Sequence, residues 1–358
     1  MKIKDIEISD LPALQRFADL YIRKNYIANR DFFKWQYFNS PFNDKKNNDC
    51  GVLACFHEDK AVSLSLRVKT AFLVQGSLRT GLWHHEWFAD TKAPGSGMWL
   101  LKEQTKRNPV LAGAGMSLLS SNFYRMLRPI CWFNLKRIFF CLDARKTYGL
   151  LLIKDIDSAL PYLQSHNLSQ KTPGKIEPVS EFEDEYETIW NRVGKTFSLA
   201  THRNSDYMNW RYLQHPVFRY QAYRCNIGKA LAYYVLRQEP VPNTDFFVVR
   251  LCEAIGTPED ISVTVPCLLN LLKDKPVAFV DFFCSNSNII AALMQGGMQE
   301  VITLRDFDLP RYFSPLADDV RKTINFFYQL DKPLITPSFY NFHEAYITKG
   351  DSNQDRPN

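Results

Sequence analysis

Three consecutive residues, His84-His85-Glu86, are of types that transfer protons, and they lie in a strand-like run, GLWHHEWFA. Alternation along a strand places His84 and Glu86 on one face and His85 on the other. An imidazole and a carboxylate pointing together can take a proton from a nucleophile, directly or through water. The same pair also fits a polar sheet edge without chemistry. Close behind comes Ala93-Pro94-Gly95-Ser96-Gly97, followed by a helical pattern from Met98. Glycines at a strand-to-helix junction let backbone N–H groups approach a ligand, and the helix start adds partial positive charge. The segment reads either as a pyrophosphate cradle or as a plain turn. It is neither a Walker loop nor GxGxxG. HHE is not HExxH and no third ligand lies nearby, so no metal site is expected. No GxSxG is present, and no cysteine sits in a recognisable nucleophile context.

An internal repeat defines the scaffold that must hold these groups. Asp31-Phe32-Phe33-Lys34-Trp35-Gln36-Tyr37-Phe38-Asn39-Ser40-Pro41 matches Asp206-Tyr207-Met208-Asn209-Trp210-Arg211-Tyr212-Leu213-Gln214-His215-Pro216 without a gap, 175 residues apart. Taken singly, the repeated rings read as core packing at a helix end. Duplicated in register, they imply a duplicated fold. An amphipathic helical pattern precedes each copy (LPALQRFADLYIRKNY; EDEYETIWNRVGKTF). Two strand-like runs joined by a polar turn follow each (VLACF-HEDK-AVSLSLRV; YQAYRC-NIGK-ALAYYVLR), then a third strand and a helix. Each half reads β–α–α–β–β–β–α–β–α–β. The expected class is α/β (α+β): domains at 1–164 and 176–358, each a mixed, mostly antiparallel sheet flanked by helices, joined by a polar linker at 165–175. At the junction matching the PGSG loop, the second half has Gly256-Thr257-Pro258-Glu259-Asp260, where two carboxylates would cap the helix and repel phosphate.

Composition bounds the partners. The 358 residues carry 44 Lys+Arg against 38 Asp+Glu, a formal net charge of +6 that is scattered along the chain. Nucleic acid is therefore not an expected partner, whereas a small polyanion is compatible. No window approaches the ~18 apolar residues of a membrane span, and MKIKDIEISD has no signal-like apolar core. The eight cysteines show no zinc spacing and mostly sit in apolar runs. A soluble cytoplasmic protein without membrane partners is expected, as monomer or dimer.

With these residues in place, the sequence resembles the GNAT acyltransferase superfamily, present twice in tandem. The specific part is the strand Leu82–Ala89, the loop Lys92–Gly97 and the helix from Met98. The resemblance implies acyl-CoA as co-substrate, acetyl-CoA or 3-hydroxybutyryl-CoA. Trp87, Phe88 and Ala89 would bind its pantetheine arm, and Lys92, Ala93, Pro94, Gly95, Ser96, Gly97 and Met98 its pyrophosphate. It also implies acid–base roles for His84 and Glu86, contact of Asn122 with CoA, and protonation of the leaving thiolate by Tyr124. The family's loop usually starts with Arg or Gln, so phosphate affinity here would rest on backbone amides and Lys92. The paired W-x-Y-x-x-x-P elements and the tail from Thr348 to Pro357 are similar to tandem proteins of surface-polysaccharide pathways that acylate the amine of a nucleotide-linked (dTDP or UDP) deoxyamino sugar. Two alternatives stand beside this reading. One is a Fem-type aminoacyltransferase using aminoacyl-tRNA; the other is a non-catalytic scaffold with both halves degenerate.

Overall fold

The computed structural model of the chain describes residues 1–21, 29–43, 51–115, 117–151, 156–164, 168, 174–301, 309 and 325–351. The first half runs β1 (Lys2–Asp5), α1 (Leu11–Tyr21), α2 (Arg30–Tyr37), β2 (Leu53–His57), β3 (Lys60–Val74), β4 (Ser77–Ala89), α3 (Ser96–Arg107), β5 (Val110–Ala114), α4 (Leu118–Arg125) and β6 (Cys131–Asn134). Then come β7 (Lys136–Cys141), α5 (Ala144–Leu150) and α6 (Ile156–Gln164). The second half follows with β8 (Lys175–Val179), α7 (Asp184–Val193), β9 (Leu199–Thr201), α8 (Ser205–Met208), β10 (Tyr220–Ile227), β11 (Ala230–Pro240), β12 (Phe247–Ile255), α9 (Pro258–Lys273), β13 (Val277–Cys284), α10 (Ser287–Gln295) and β14 (Gln299–Glu300). The last strand is β15 (Asn325–Leu330). The ten-element order read from the sequence appears in both halves, with β7, β9, β15 and the pair α5–α6 as additions.

Two mixed sheets result. One is ordered β1-β2-β3-β4-β5-β15-β6, with β9 against the far end of β3; the other is ordered β14-β7-β13-β12-β11-β10-β8. Among the described strands only β4/β5 and β12/β13 pair in parallel; the other strand pairs are antiparallel. The sheets do not follow the two halves of the sequence. β7 lies in the second sheet against β13, and β15 lies in the first between β5 and β6. The first half thus lends β7 to the second sheet, and the second half lends β15 and the short β9 to the first. Of the sequence-expected linker, only residues 168, 174 and 175 are among the described ones.

The repeated segment explains the seam. Asn29 caps α2 by accepting from the Phe32 amide, and Asn204 caps α8 by accepting from the Tyr207 amide, so both copies start at the same kind of cap. The second copy continues from α8 as a π-helical turn, Asn209–Leu213. Trp35 and Trp210 then stack on each other at 4.9 Å between ring centroids. Each indole N–H donates to the other's backbone carbonyl at 3.2 Å. Reciprocal contacts between equivalent residues are the mark of a two-fold interface, here inside one chain. One continuous core runs through both halves, from Phe32 and Leu66 to Tyr234 and Leu268. Among the described residues no helix is long and apolar enough to cross a membrane, and the seven described cysteines are buried thiols.

Candidate active site

In the first sheet β4 and β5 run together from Gly81–Val110 to His84–Gly113 and then part, while β4 continues to Ala89 along β3. Among the described residues no strand takes the place of β5 beside β4 from His85 to Ala89, and a strand edge of this kind can receive an extended amide-bearing chain.

A β-bulge sits at the point of divergence. Leu66 pairs with Glu86 and Arg67 with His84, so His85 is an extra residue in β4. This corrects the strict alternation read from the sequence: His84 and Glu86 point to opposite faces, because one inserted residue inverts the register on one side of it. His84 joins the α3 face. It is 9 % exposed; its Nδ1 lies 2.9 Å from the Gln104 amide nitrogen, and its ring is edge-on to Tyr124. Burial, with the Arg67 charge beside it, lowers its pKa to about 3 against a weaker opposing effect of the Gln104 bond. At neutral pH this ring is uncharged and a poor acceptor for an ammonium proton. His85 instead faces α2, with Nδ1 3.2 Å from the Gln36 amide nitrogen and 3.3 Å from the Tyr37 hydroxyl. Glu86 is half-buried opposite Leu66, on the α2 side.

The PGSG segment is a capped helix start. Gly95 has φ +84° as N-cap of α3, a conformation that Gly adopts without steric cost. The Lys92, Ala93 and Ser96 amides are spent on turns within the loop, and Pro94 has none. The anion-binding donors expected over residues 93–98 thus narrow to the amides of Gly95, Gly97 and Met98, in the turn where helix N–H groups lack internal acceptors. The Ser96 hydroxyl is buried without a hydrogen-bond partner. α3 carries no acidic residue in its first turn, and Lys92 is exposed in the loop.

Gly97 is required by close approach. A Cβ there would lie 3.0 Å from the Ala89 Cβ and 3.1 Å from the Trp87 indole, whose N–H donates to the Gly97 carbonyl at 3.0 Å. Gly97→Val is expected to push α3 off β4 and lower stability by about 1–3 kcal/mol. Urea denaturation checks this, and an unchanged midpoint would mean that α3 is not locked to β4. Trp87 also meets Phe123 and Tyr124 of α4 edge-on. The Tyr124 hydroxyl is buried with no hydrogen-bond partner, and burial raises its pKa well above the ordinary range. It stays protonated. Phe88 turns to the other face opposite Leu64, Ala89 ends the strand, and Asn122 is exposed on α4. The structure thus gathers His84, Trp87, Ser96, Gly97 and Tyr124 on one face. His85 and Glu86 lie on the other. Among the described residues no cluster of three or more His, Cys, Asp or Glu could hold a metal.

The residues missed from sequence are those that share a cavity with His85 at the seam. A small cavity of about 20 Å³ is lined by Gln36, Thr70, Trp83, His85, Arg211 and Asp351, among others. Gln36 and Arg211 occupy matching positions of the repeat, which was the available signal. The second half has its own bulge, at Cys252, between the pairs Val235–Glu253 and Leu236–Leu251. At the start of α9 lies a cavity of about 200 Å³, lined by Arg192, Thr257, Asn286 and Glu344 among others. Glu259 and Asp260 occupy the first turn of α9, and like charge there disfavours a polyphosphate.

No protein-family model and no curated protein matches the sequence. Solved structures match it in fold. A GCN5-related N-acetyltransferase from Anabaena variabilis is 8% identical, with a TM-score of 0.57 over 92% of this chain and 72% of that one. N-myristoyltransferase from Saccharomyces cerevisiae with bound myristoyl-CoA is 11% identical, with a TM-score of 0.51 over 92% and 82%. A GCN5-related N-acetyltransferase from Kribbella flavida is 12% identical, with a TM-score of 0.51 over 92% and 70%. The chain shares its fold with these structures over 92% of its length.

Proposed function

We propose that the protein is an acyl-CoA-dependent N-acyltransferase that binds its donor in the first half. The observation that carries this reading is the open edge of β4 beyond His84–Gly113, leading into the amide-rich start of α3. The pantetheine amides would pair with the backbone of β4 up to Trp87, Phe88 and Ala89. The pyrophosphate would take the amides of Gly95, Gly97 and Met98 and the charge of Lys92, and the buried Ser96 hydroxyl supplies a further donor. Asn122, exposed on α4, would touch CoA from outside.

On the acceptor side the amine must lose a proton before it attacks the thioester carbonyl. His85 and Glu86, on the α2 face, are the acceptors this reading uses, while the neutral His84 orients Gln104 and Tyr124. The new C–N bond forms as the C–S bond breaks. The resemblance assigns the thiolate's proton to Tyr124, whose hydroxyl has no hydrogen-bond partner among the described residues. Much of the acceleration can come from holding both substrates together. For the acceptor, the resemblance of the W-x-Y-x-x-x-P pair favours the amine of a nucleotide-linked deoxyamino sugar, with acetyl or 3-hydroxybutyryl as the acyl group.

Thermal denaturation with CoA, acetyl-CoA or 3-hydroxybutyryl-CoA tests the donor, since a ligand bound only to the folded state adds about 2.7 kcal/mol of stability at one hundred times its Kd and so raises the midpoint. A rise with thioesters and not with ATP is expected. No rise at millimolar thioester would sink the reading. Mass spectrometry of dTDP- and UDP-amino sugars incubated with enzyme and thioester then tests the acceptor.

A further inference from the structure

In the second half, β12 and β13 pair up to Leu251–Phe282 and then part, as β4 and β5 do. This second crevice is filled by the chain's own residues 345–348. The Tyr346 hydroxyl accepts from the Ala254 amide at 3.1 Å and donates to Glu253 at 2.9 Å, on the β12 wall. On the β13 wall, the Ser285 amide donates to the Ile347 carbonyl at 3.0 Å and its hydroxyl to the Ala345 carbonyl at 2.6 Å. Thr348 bridges to Cys284. Ala345, Tyr346 and Ile347 are at most 1 % exposed.

The segment then reaches the seam. The Gly350 carbonyl accepts two bonds from Arg211, at 3.1 and 2.9 Å. Asp351 accepts from Thr201 Oγ1 at 2.6 Å, Arg203 at 2.5 Å and the Thr348 amide at 2.8 Å. Three donors fix this carboxylate where it lines the 20 Å³ cavity that His85 also lines, a space for about one water.

We propose that residues 345–351 are a built-in occupant of the second half's crevice, and that Asp351 at their end is a positioning residue for proton transfer at His85. This rests on the donor reading above. Among the described residues, His85 meets Gln36 and Tyr37 from α2, with Glu86 next in β4, and shares its cavity with Tyr207 and Arg211 from α8 and its π-helical continuation and with Asp351, behind which lie Arg203 and Glu253. A fixed negative charge across the cavity favours the imidazolium that forms when His85 takes the amine's proton, and it offsets the Arg211 charge. The second half would thus serve the reaction as a support that binds one strap of chain.

The test uses the full chain and two readouts. In Asp351→Asn, loss of the charge is expected to move the His85 ring titration, followed by NMR, to lower pH, and to reduce kcat at least ten-fold with donor Kd within two-fold of wild type. An unmoved titration overturns the inference whether or not the protein proves to be an acyltransferase. Should this variant not fold, Asp351→Glu displaces the charge by one methylene, and the same shifts are expected at smaller size. Calorimetry of the wild type is expected to find one CoA thioester per chain. Two would overturn the built-in occupant, whereas none would sink the donor reading and leave the His85 titration to decide.

Discussion

His85→Ala is expected to lower kcat for acyl transfer by roughly 10²–10⁴-fold, the usual contribution of a positioned general base. His84→Gln is expected to cost less than ten-fold. The contrast follows from the bulge in β4. It turns His85 toward Gln36, Tyr37 and the seam, while His84 stays neutral against Gln104 with its pKa held near 3. The alanine variant leaves the Gln36 amide and Tyr37 hydroxyl short of a partner, at about 1–3 kcal/mol of stability, so melting curves must accompany the kinetics. Because an ammonium acceptor reacts only after losing its proton, the residual activity of His85→Ala is expected to climb with pH where the wild type levels off. Equal losses for the two histidines would remove His85 from the mechanism.

Arg203→Met is expected to destabilise the fold by about 3–5 kcal/mol at pH 7, the cost of leaving buried charges without their partner. Arg203 is fully buried, with Glu253 at 2.8 Å and Asp351 at 2.5 Å. Burial opposes its charge, but the two carboxylates outweigh that and hold its pKa well above the ordinary range. Glu253 shows the other side: burial raises its pKa despite Arg203. Without the guanidinium, which lowers it, Glu253 should protonate still more readily in the folded state than in the unfolded chain. A carboxyl whose folded pKa is raised stabilises below its unfolded pKa and loses that contribution as pH rises through the folded value. The deficit of Arg203→Met should therefore be largest at pH 7 and shrink below about pH 4. Urea denaturation at the two pH values measures this, and a loss under 1 kcal/mol at pH 7 would show that the network is not needed for stability. Removing the carboxylates too, with Glu253→Gln and Asp351→Asn, is expected to recover part of the loss.

Both predictions depend on features of unequal legibility. The sequence alone determined what is local or repeated. The Asn-capped helices carrying Trp35 and Trp210, the hairpins β2–β3 and β10–β11, the glycine start of α3 and the acidic start of α9 all follow from residue type at short spacing, so the ten-element order in each half was readable. The tertiary structure decided everything that depends on pairing between distant segments. The bulge at His85 is set by how β4 registers against β3, and no residue in HHE announces it; it alone separates His84 from Glu86. The exchange of β7 and β15 between sheets joins strands far apart in the chain. That Trp35 and Trp210 meet, and that Asp351 and His85 line one small cavity, are facts of docking. Hydrophobic period and cap chemistry act over a few residues, whereas register and docking are fixed by the whole buried surface.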